Sequence, residues 1–261
     1  MARRRSDTSL PAPFLQRLRV RPEKLAEHAG YPFDLPWLGP ESFELQFTQP
    51  VTIIFGENGT GKSTLIEAIA SLSGYDEAGG GKGYRPVDHS GALDKSGAGL
   101  AEVLRASWLP KITDGWFFKA ESFFSVARYQ DEMAIRYGGM APDYLSWSHG
   151  EGFLRFFEER MSRQGIYFMD EPESALSPTR QLELLRILHG IQQAATSQVI
   201  LATHSPILMA LPGAQLLEIT RHGLAESHYR QSAHFKLYQS FTTDPEEFIK
   251  EALAHPDDLP F

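Results

Sequence analysis

Short apolar runs alternate with amphipathic stretches along this chain, and each apolar run stops at a polar or glycine-rich segment. "PVTIIF" (50–55) predicts a buried strand, because it is a short run rich in β-branched residues that ends at a glycine turn. Behind it, Lys62 to Ser73 predicts a helix with Leu65, Ile69 and Leu72 on one face. "GWFFKAESFF" (115–124) reads as a strand running into a loop, and "GIYFMDEPE" (165–173) as a buried strand ending in acids. Gly150 to Arg163 is amphipathic at helical spacing: Phe153, Phe156, Phe157 and Met161 face one way, and Arg155, Glu159 and Arg163 the other. Pro178 suits the first turn of a further helix. "QVILATHS" (198–205) and "AQLLEIT" (214–220) are again strand-like.

Strands alternating with helices, several of them apolar throughout, define an α/β class. The expected fold is a mostly parallel sheet flanked by helices, with its chemistry at the carboxyl ends of the strands. The proline-bearing first 40 residues predict irregular structure with a short strand near "QRLRV" (16–20), and the Gly-rich span 74–99 predicts a surface loop.

Composition narrows the picture. With 261 residues, 42% of them apolar, the chain can bury a substantial core, and it is read as one domain over 1–261. The net charge of −8 argues against a protein that coats nucleic acid broadly. "MARRR" at the start is a frayed solvated tail or a tether to an acidic partner. Cysteine is absent, which excludes disulfides and thiolate sites. No apolar run approaches the roughly 18 residues of a membrane span, and the basic start is followed by no apolar segment of secretory type. The expectation is a soluble, cytoplasmic protein without a transmembrane segment.

Four polar motifs fall at predicted strand ends or helix starts. The first, Gly56-Glu57-Asn58-Gly59-Thr60-Gly61-Lys62-Ser63-Thr64, suits phosphate: its glycines let successive backbone N–H groups curl around an anion at the start of a helix. Lys62 reaches β- and γ-phosphates there, and Ser63 can ligate Mg²⁺. In the second, Asp170 suits a place near Mg²⁺ and Glu171 a general base for attacking water; paired carboxylates at a strand end are otherwise helix caps or solvated charge. Glu173 beside them reads as structural. The third is His204 in "ATHSP", placed to hydrogen-bond a γ-phosphate or the attacking water. The fourth is "SWSHGEG" (146–152), where Ser148 is an N-cap candidate and Gly150 permits close backbone approach; alone it is also an ordinary helix start.

As an ordered set these motifs resemble the ATPase domain of the ABC superfamily. "GENGTGKST" resembles the Walker A loop, "SHGE" (148–151) the signature motif, "IYFMDEPE" Walker B with its catalytic glutamate, "SALS" (174–177) the D-loop and His204 the H-loop histidine. The wording is most similar to small soluble ATPases akin to the RecF, SMC and Rad50 branch and the overcoming-lysogenization-defect type. The resemblance implies ATP and Mg²⁺ as ligands, with Glu171, His204 and Lys62 catalytic and Ser63, Asp170 and Glu121 near the metal. It further implies a homodimer on ATP binding, in which Ser148, Gly150 and Glu151 of one copy complete the site of the other.

The sequence departs from that pattern in places. His149 replaces the first signature glycine and Glu151 the glutamine, and Ser177 stands where the D-loop often has aspartate. The slot of the Q-loop glutamine holds Glu121, which reads equally as a surface acid, with Gln130 further on. Tyr31, Phe33 and Trp37 are candidates for stacking on adenine, or for packing alone. Residues 75–165 are expected to form a lid or helical lobe carrying the signature, with the Gly-rich loop 74–99. The span between Lys62 and Ser148 is too short for coiled-coil arms and shows no heptads. The resulting expectation is an ATP-driven dimerising switch, serving DNA repair or defence with a protein partner or DNA. The alternative is the ATP-binding subunit of a membrane transporter.

Overall fold

The computed structural model describes residues 9–39, 43–82, 96–112, 114–120, 123, 135 and 149–254. Ser148, Glu121 and Gln130 lie outside them. The main sheet is built from β3 (Val51–Gly56), β4 (Gly80–Gly81), β6 (Gly115–Lys119), β7 (Ile166–Asp170), β8 (Gln198–Ala202), β9 (Gln215–Thr220) and β10 (Gly223–Glu226). Its order is β10-β9-β3-β8-β7-β6-β4. The five inner strands run parallel, and β10 and β4 pair antiparallel at the two edges. A smaller antiparallel sheet joins β1 (Leu15–Val20) to β2 (Glu44–Gln46) and β5 (Leu104–Trp108).

The period-two alternation of strand side chains explains why the inner strands are apolar throughout. Ile54, Phe117, Phe168 and Ile200 point to one face, where they meet Leu65, Ile66 and Ile69 of the helix Lys62–Ser73. Ile53, Phe118, Met169 and Leu201 point to the other. There the helices His149–Met161 and Pro178–Ala194 cover them with Phe153, Phe156, Phe157, Leu184 and Leu188, all fully buried. The aromatic rings meet edge to face, with Phe118 and Phe157 centroids 4.4 Å apart and Phe153 and Phe157 4.3 Å apart. Arg155 and Glu159 are exposed on the opposite side of the first of these helices, as the amphipathic pattern requires, and Arg163, also exposed, lies just past its end at Met161.

Of the span 75–165, the described residues enter both sheets through β4, β5 and β6, and the helix Ser96–Val103 packs beside Lys62–Ser73. The proline-bearing N-terminal segment, expected to be largely irregular, forms β1 and buries Leu15, Leu18, Leu35 and Trp37 in the core, and one side chain of the main sheet fastens it there. Gln198, fully buried on β8, accepts from the Phe14 and Leu15 amides at 2.9 and 2.8 Å and donates to the Leu15 carbonyl at 3.1 Å. No helix among the described residues is long and apolar enough to cross a membrane.

Candidate functional site

Register brings the polar strand ends together. Lys119 of β6 pairs with Asp170 of β7, Asp170 with Ala202 of β8, and Ala202 with Ile54 of β3. The residues that follow β3, β7 and β8 therefore emerge side by side at the carboxyl ends of the inner strands: the glycine loop, Glu171 and His204.

The loop is shaped by what surrounds its glycines. Gly56 has φ +154°, and a Cβ there would sit 2.2 Å from the Ile219 carbonyl oxygen of β9. Gly61 has φ +89°, and a Cβ there would sit 2.8 Å from a Leu35 methyl and 3.2 Å from the Trp37 indole nitrogen. Trp37 is buried and donates its indole N–H to the Thr60 carbonyl at 2.9 Å, so it braces the loop from below. Phe33 stacks on His28, and the exposed Tyr31 places its hydroxyl against that of Thr64.

The helix that follows has no side-chain cap and no acid in its first turn. Its first N–H groups have no intrahelical partner, and its positive end points into the loop. Lys62 Nζ donates to the Glu57 carbonyl at 2.9 Å. Burial lowers the pKa of Lys62, while Glu171, Asp170 and Glu57 hold it up.

Ser63 donates its hydroxyl to Asp170 Oδ1 at 3.0 Å. Asp170 is 8% exposed, and burial raises its carboxyl to about 6, with Lys119 and the Ser63 hydrogen bond pulling the other way. Lys119 itself is buried and paired with Glu67 at 2.7 Å. Ser63, Glu67, Lys119, Ala120, Asp170, Glu171 and Ser174 line a cleft of about 230 Å³. Among the described residues no cluster of three or more His, Cys, Asp or Glu side chains could hold a metal on its own. One hydroxyl and one carboxylate are instead the sparse protein set that Mg²⁺ uses when phosphates and water fill its remaining positions.

Glu171 turns the chain out of β7 in the left-handed region, at φ 46° and ψ 54°, a conformation that costs energy for a residue with a side chain and concentrates at functional sites. Its amide donates to the Ala202 carbonyl at 3.0 Å, and its side chain stays 43% exposed. His204 Nε2 lies 3.5 Å from Glu171 Oε1 without hydrogen-bond geometry. Burial first, then the Lys62 charge, lowers the His204 pKa to about 4, so the ring is neutral at physiological pH. Glu173 accepts from the His204 amide at 2.6 Å, in keeping with a structural role, and burial raises its own pKa.

The signature segment is described only in part. The helix begins at His149, with Gly150 second. Glu151 pairs with Arg180 of the same chain at 2.6 Å, fastening this helix to Pro178–Ala194. Ser177 is the N-cap of that second helix, accepting from the Arg180 amide at 3.4 Å. Two site neighbours have no counterpart in the sequence reading: the Lys119–Glu67 pair, and His234, whose Nε2 lies 3.1 Å from His204 Nδ1.

Two family profiles match the chain, and they bracket the site. One, described as an AAA domain, covers residues 35–104 with the glycine loop. The other, described as "AAA domain, putative AbiEii toxin, Type IV TA system", covers 152–210 with Asp170, Glu171 and His204. Each profile covers less than half of the chain, and with the mostly parallel sheet they make it similar to AAA-type ATPase domains. No curated protein matches the sequence significantly.

Solved structures similar to the chain include two ABC transporter proteins and an SMC head domain. A putative metal-chelate type ABC transporter in an inward-facing conformation is 15% identical over 86% of this chain and 88% of its own, with a TM-score of 0.48. The SMC head domain from Thermotoga maritima is 16% identical over 83% and 99%, with a TM-score of 0.43. CbiO1 from Clostridium perfringens, part of the ABC transporter complex CbiONQ, is 13% identical over 91% and 98%, with a TM-score of 0.44.

Proposed function

We propose that this chain binds ATP with Mg²⁺, hydrolyses it, and closes as a head-to-tail homodimer around two ATP molecules, working as a switch in DNA repair or defence. The observation that carries the reading is the Ser63–Asp170 hydrogen bond at 3.0 Å, with Lys62 on one side of it and Glu171 and His204 on the other. The second profile's description, which names a putative toxin of a toxin–antitoxin system, favours the defence side.

In this account the loop amides from Gly56 to Thr64 and the start of the following helix cradle the phosphates, and Lys62 leaves the Glu57 carbonyl to meet the β- and γ-phosphates. Ser63 and Asp170 would hold Mg²⁺, and Glu121, outside the described residues, is the third residue proposed for the ion. When bound, the ion would supply positive charge to the phosphate oxygens. Glu171 accepts a proton from the attacking water at its carboxylate, and His204 Nε2 steadies that water or the γ-phosphate. The 43% exposure of Glu171 leaves the site open on one side, which suits closure by a second copy. There the partner's Ser148 and Gly150 would meet the γ-phosphate.

The direct test is steady-state phosphate release. Wild-type protein with ATP and Mg²⁺ should turn over, and Glu171→Gln should bind ATP yet release phosphate at least about 100-fold more slowly. A wild type that binds ATP without releasing phosphate would make the chain a nucleotide sensor instead.

A further inference from the structure

His204 has a second imidazole behind it. Its Nδ1 lies 3.1 Å from His234 Nε2, and the ring centroids are 5.2 Å apart. On its other side His204 Nε2 is buried, makes no hydrogen bond, and faces Glu171 Oε1 at 3.5 Å. His234 in turn presents Nδ1 to Glu57 Oε1 of the phosphate loop at 4.0 Å. A line of side chains therefore runs from Glu57 through His234 and His204 to Glu171.

The fold holds His234 in place by local devices. It is the second residue of the helix Ala233–Thr243. Ser232, fully buried, caps that helix by accepting from the Phe235 amide at 3.1 Å and donates its hydroxyl to the Tyr229 carbonyl at 2.6 Å. Tyr229 packs against the core face that also holds Leu184 and Leu201. The segment after β10 thus folds back to the carboxyl end of the sheet, where His204 follows β8.

A hydrogen bond between two imidazoles needs one ring to donate and the other to accept. If His204 donated through Nδ1, its single proton would be spent there, and a bare Nε2 lone pair would face the Glu171 carboxylate. If His234 donates, His204 keeps its proton on Nε2, where a carboxylate, a phosphate oxygen or a water can accept it. The tautomer of a histidine is set in this way by the partner of its other nitrogen. We propose that His234 is a positioning residue for His204: it donates Nε2–H to His204 Nδ1 and so keeps the His204 proton on Nε2, aimed at Glu171 and the phosphate loop. Glu57 Oε1, 4.0 Å from His234 Nδ1, is beyond hydrogen-bond reach and leaves His234 free to donate through Nε2. The inference rests on His204 serving ATP hydrolysis, but the tautomer itself is a property of the ligand-free protein.

The test combines imidazole ¹⁵N NMR with kinetics. In ligand-free wild type, His204 should appear as the Nε2–H tautomer, with Nδ1 unprotonated. His234→Phe keeps a ring and removes the donor. It should release His204 into a tautomer mixture and lower kcat about tenfold, with the KM for ATP changed less than about twofold. His234→Gln, whose amide N–H reaches as far, should restore most of kcat. Three results would each overturn the proposal: His204 protonated on Nδ1 in the wild type, an unchanged tautomer and kcat in His234→Phe, or equal losses of kcat in the Phe and Gln variants. If the wild type releases no phosphate, the ATPase reading fails, and the tautomer still decides this inference by itself.

Discussion

Ser63 donates its hydroxyl to Asp170 Oδ1 at 3.0 Å, and this one hydrogen bond joins the first turn of the phosphate-loop helix to the tip of β7. The cost of the arrangement sits on Asp170, whose carboxyl burial raises to about 6. At pH 8 the carboxylate is therefore charged at a cost in folding free energy that a neutral amide avoids, so Asp170→Asn should leave the melting temperature at pH 8 unchanged or higher. The same change should lower Mg²⁺-dependent phosphate release at least about 100-fold. Thermal melts alongside phosphate assays would separate the two effects, and a lower melting temperature would contradict the burial argument.

Gly56 and Gly59 make a contrast within one loop. Both have positive φ, but a Cβ at Gly56 would strike the Ile219 carbonyl at 2.2 Å, whereas none of the surroundings lies within 4 Å of one at Gly59. Gly59→Ala should therefore cost about 1 kcal/mol of stability, the left-handed penalty alone. Gly56→Ala should cost about 3 kcal/mol or more, because β3 and β9 must part. Urea denaturation of the two variants checks the order.

Lys119 and Glu67 form an ion pair with side chains only 6% and 11% exposed. Removing one partner strands a buried charge, so Lys119→Met should destabilise by about 3–5 kcal/mol. Lys119→Met with Glu67→Leu should recover much of that loss, since a buried pair replaced by apolar residues is often neutral. Recovery in the double variant, measured by denaturation, is the decisive comparison.

The strand–loop–helix unit and the acidic end of β7 were legible because local pattern determines them. Buried parallel strands must be apolar on both faces, and a phosphate loop needs its glycines at fixed places. The helix Lys62–Ser73 and the start at Pro178 fall where the sequence predicts them. Contacts between distant segments were not legible. The small sheet pairs β1 with β2, a strand of three residues, and with β5, far along the chain. Lys119 meets Glu67, and His234 meets His204, across 52 and 30 positions. For His234 one signal was present: Ser232 before an amphipathic stretch announces a helix start, which places a histidine in a first turn.

His204 also sets a pH dependence. Its pKa falls from 6.5 to about 4 on folding, so between those values the unfolded chain takes up a proton that the folded chain refuses. Its contribution to stability is full above about pH 6.5 and is lost as pH falls toward 4. The stability difference between wild type and His204→Gln should therefore change steadily between pH 7 and pH 4, with the wild type losing more as pH falls. Urea denaturation of both proteins across this range measures it, and a constant difference would contradict a buried neutral His204.

The central claim is that ATP joins two copies of this chain, and the most direct measurement is the mass of Glu171→Gln by light scattering behind size exclusion. With Mg²⁺ and saturating ATP the account predicts twice the 29.3 kDa chain mass, returning to one chain mass when ATP is withdrawn. A variant that stays monomeric with ATP demonstrably bound would contradict it.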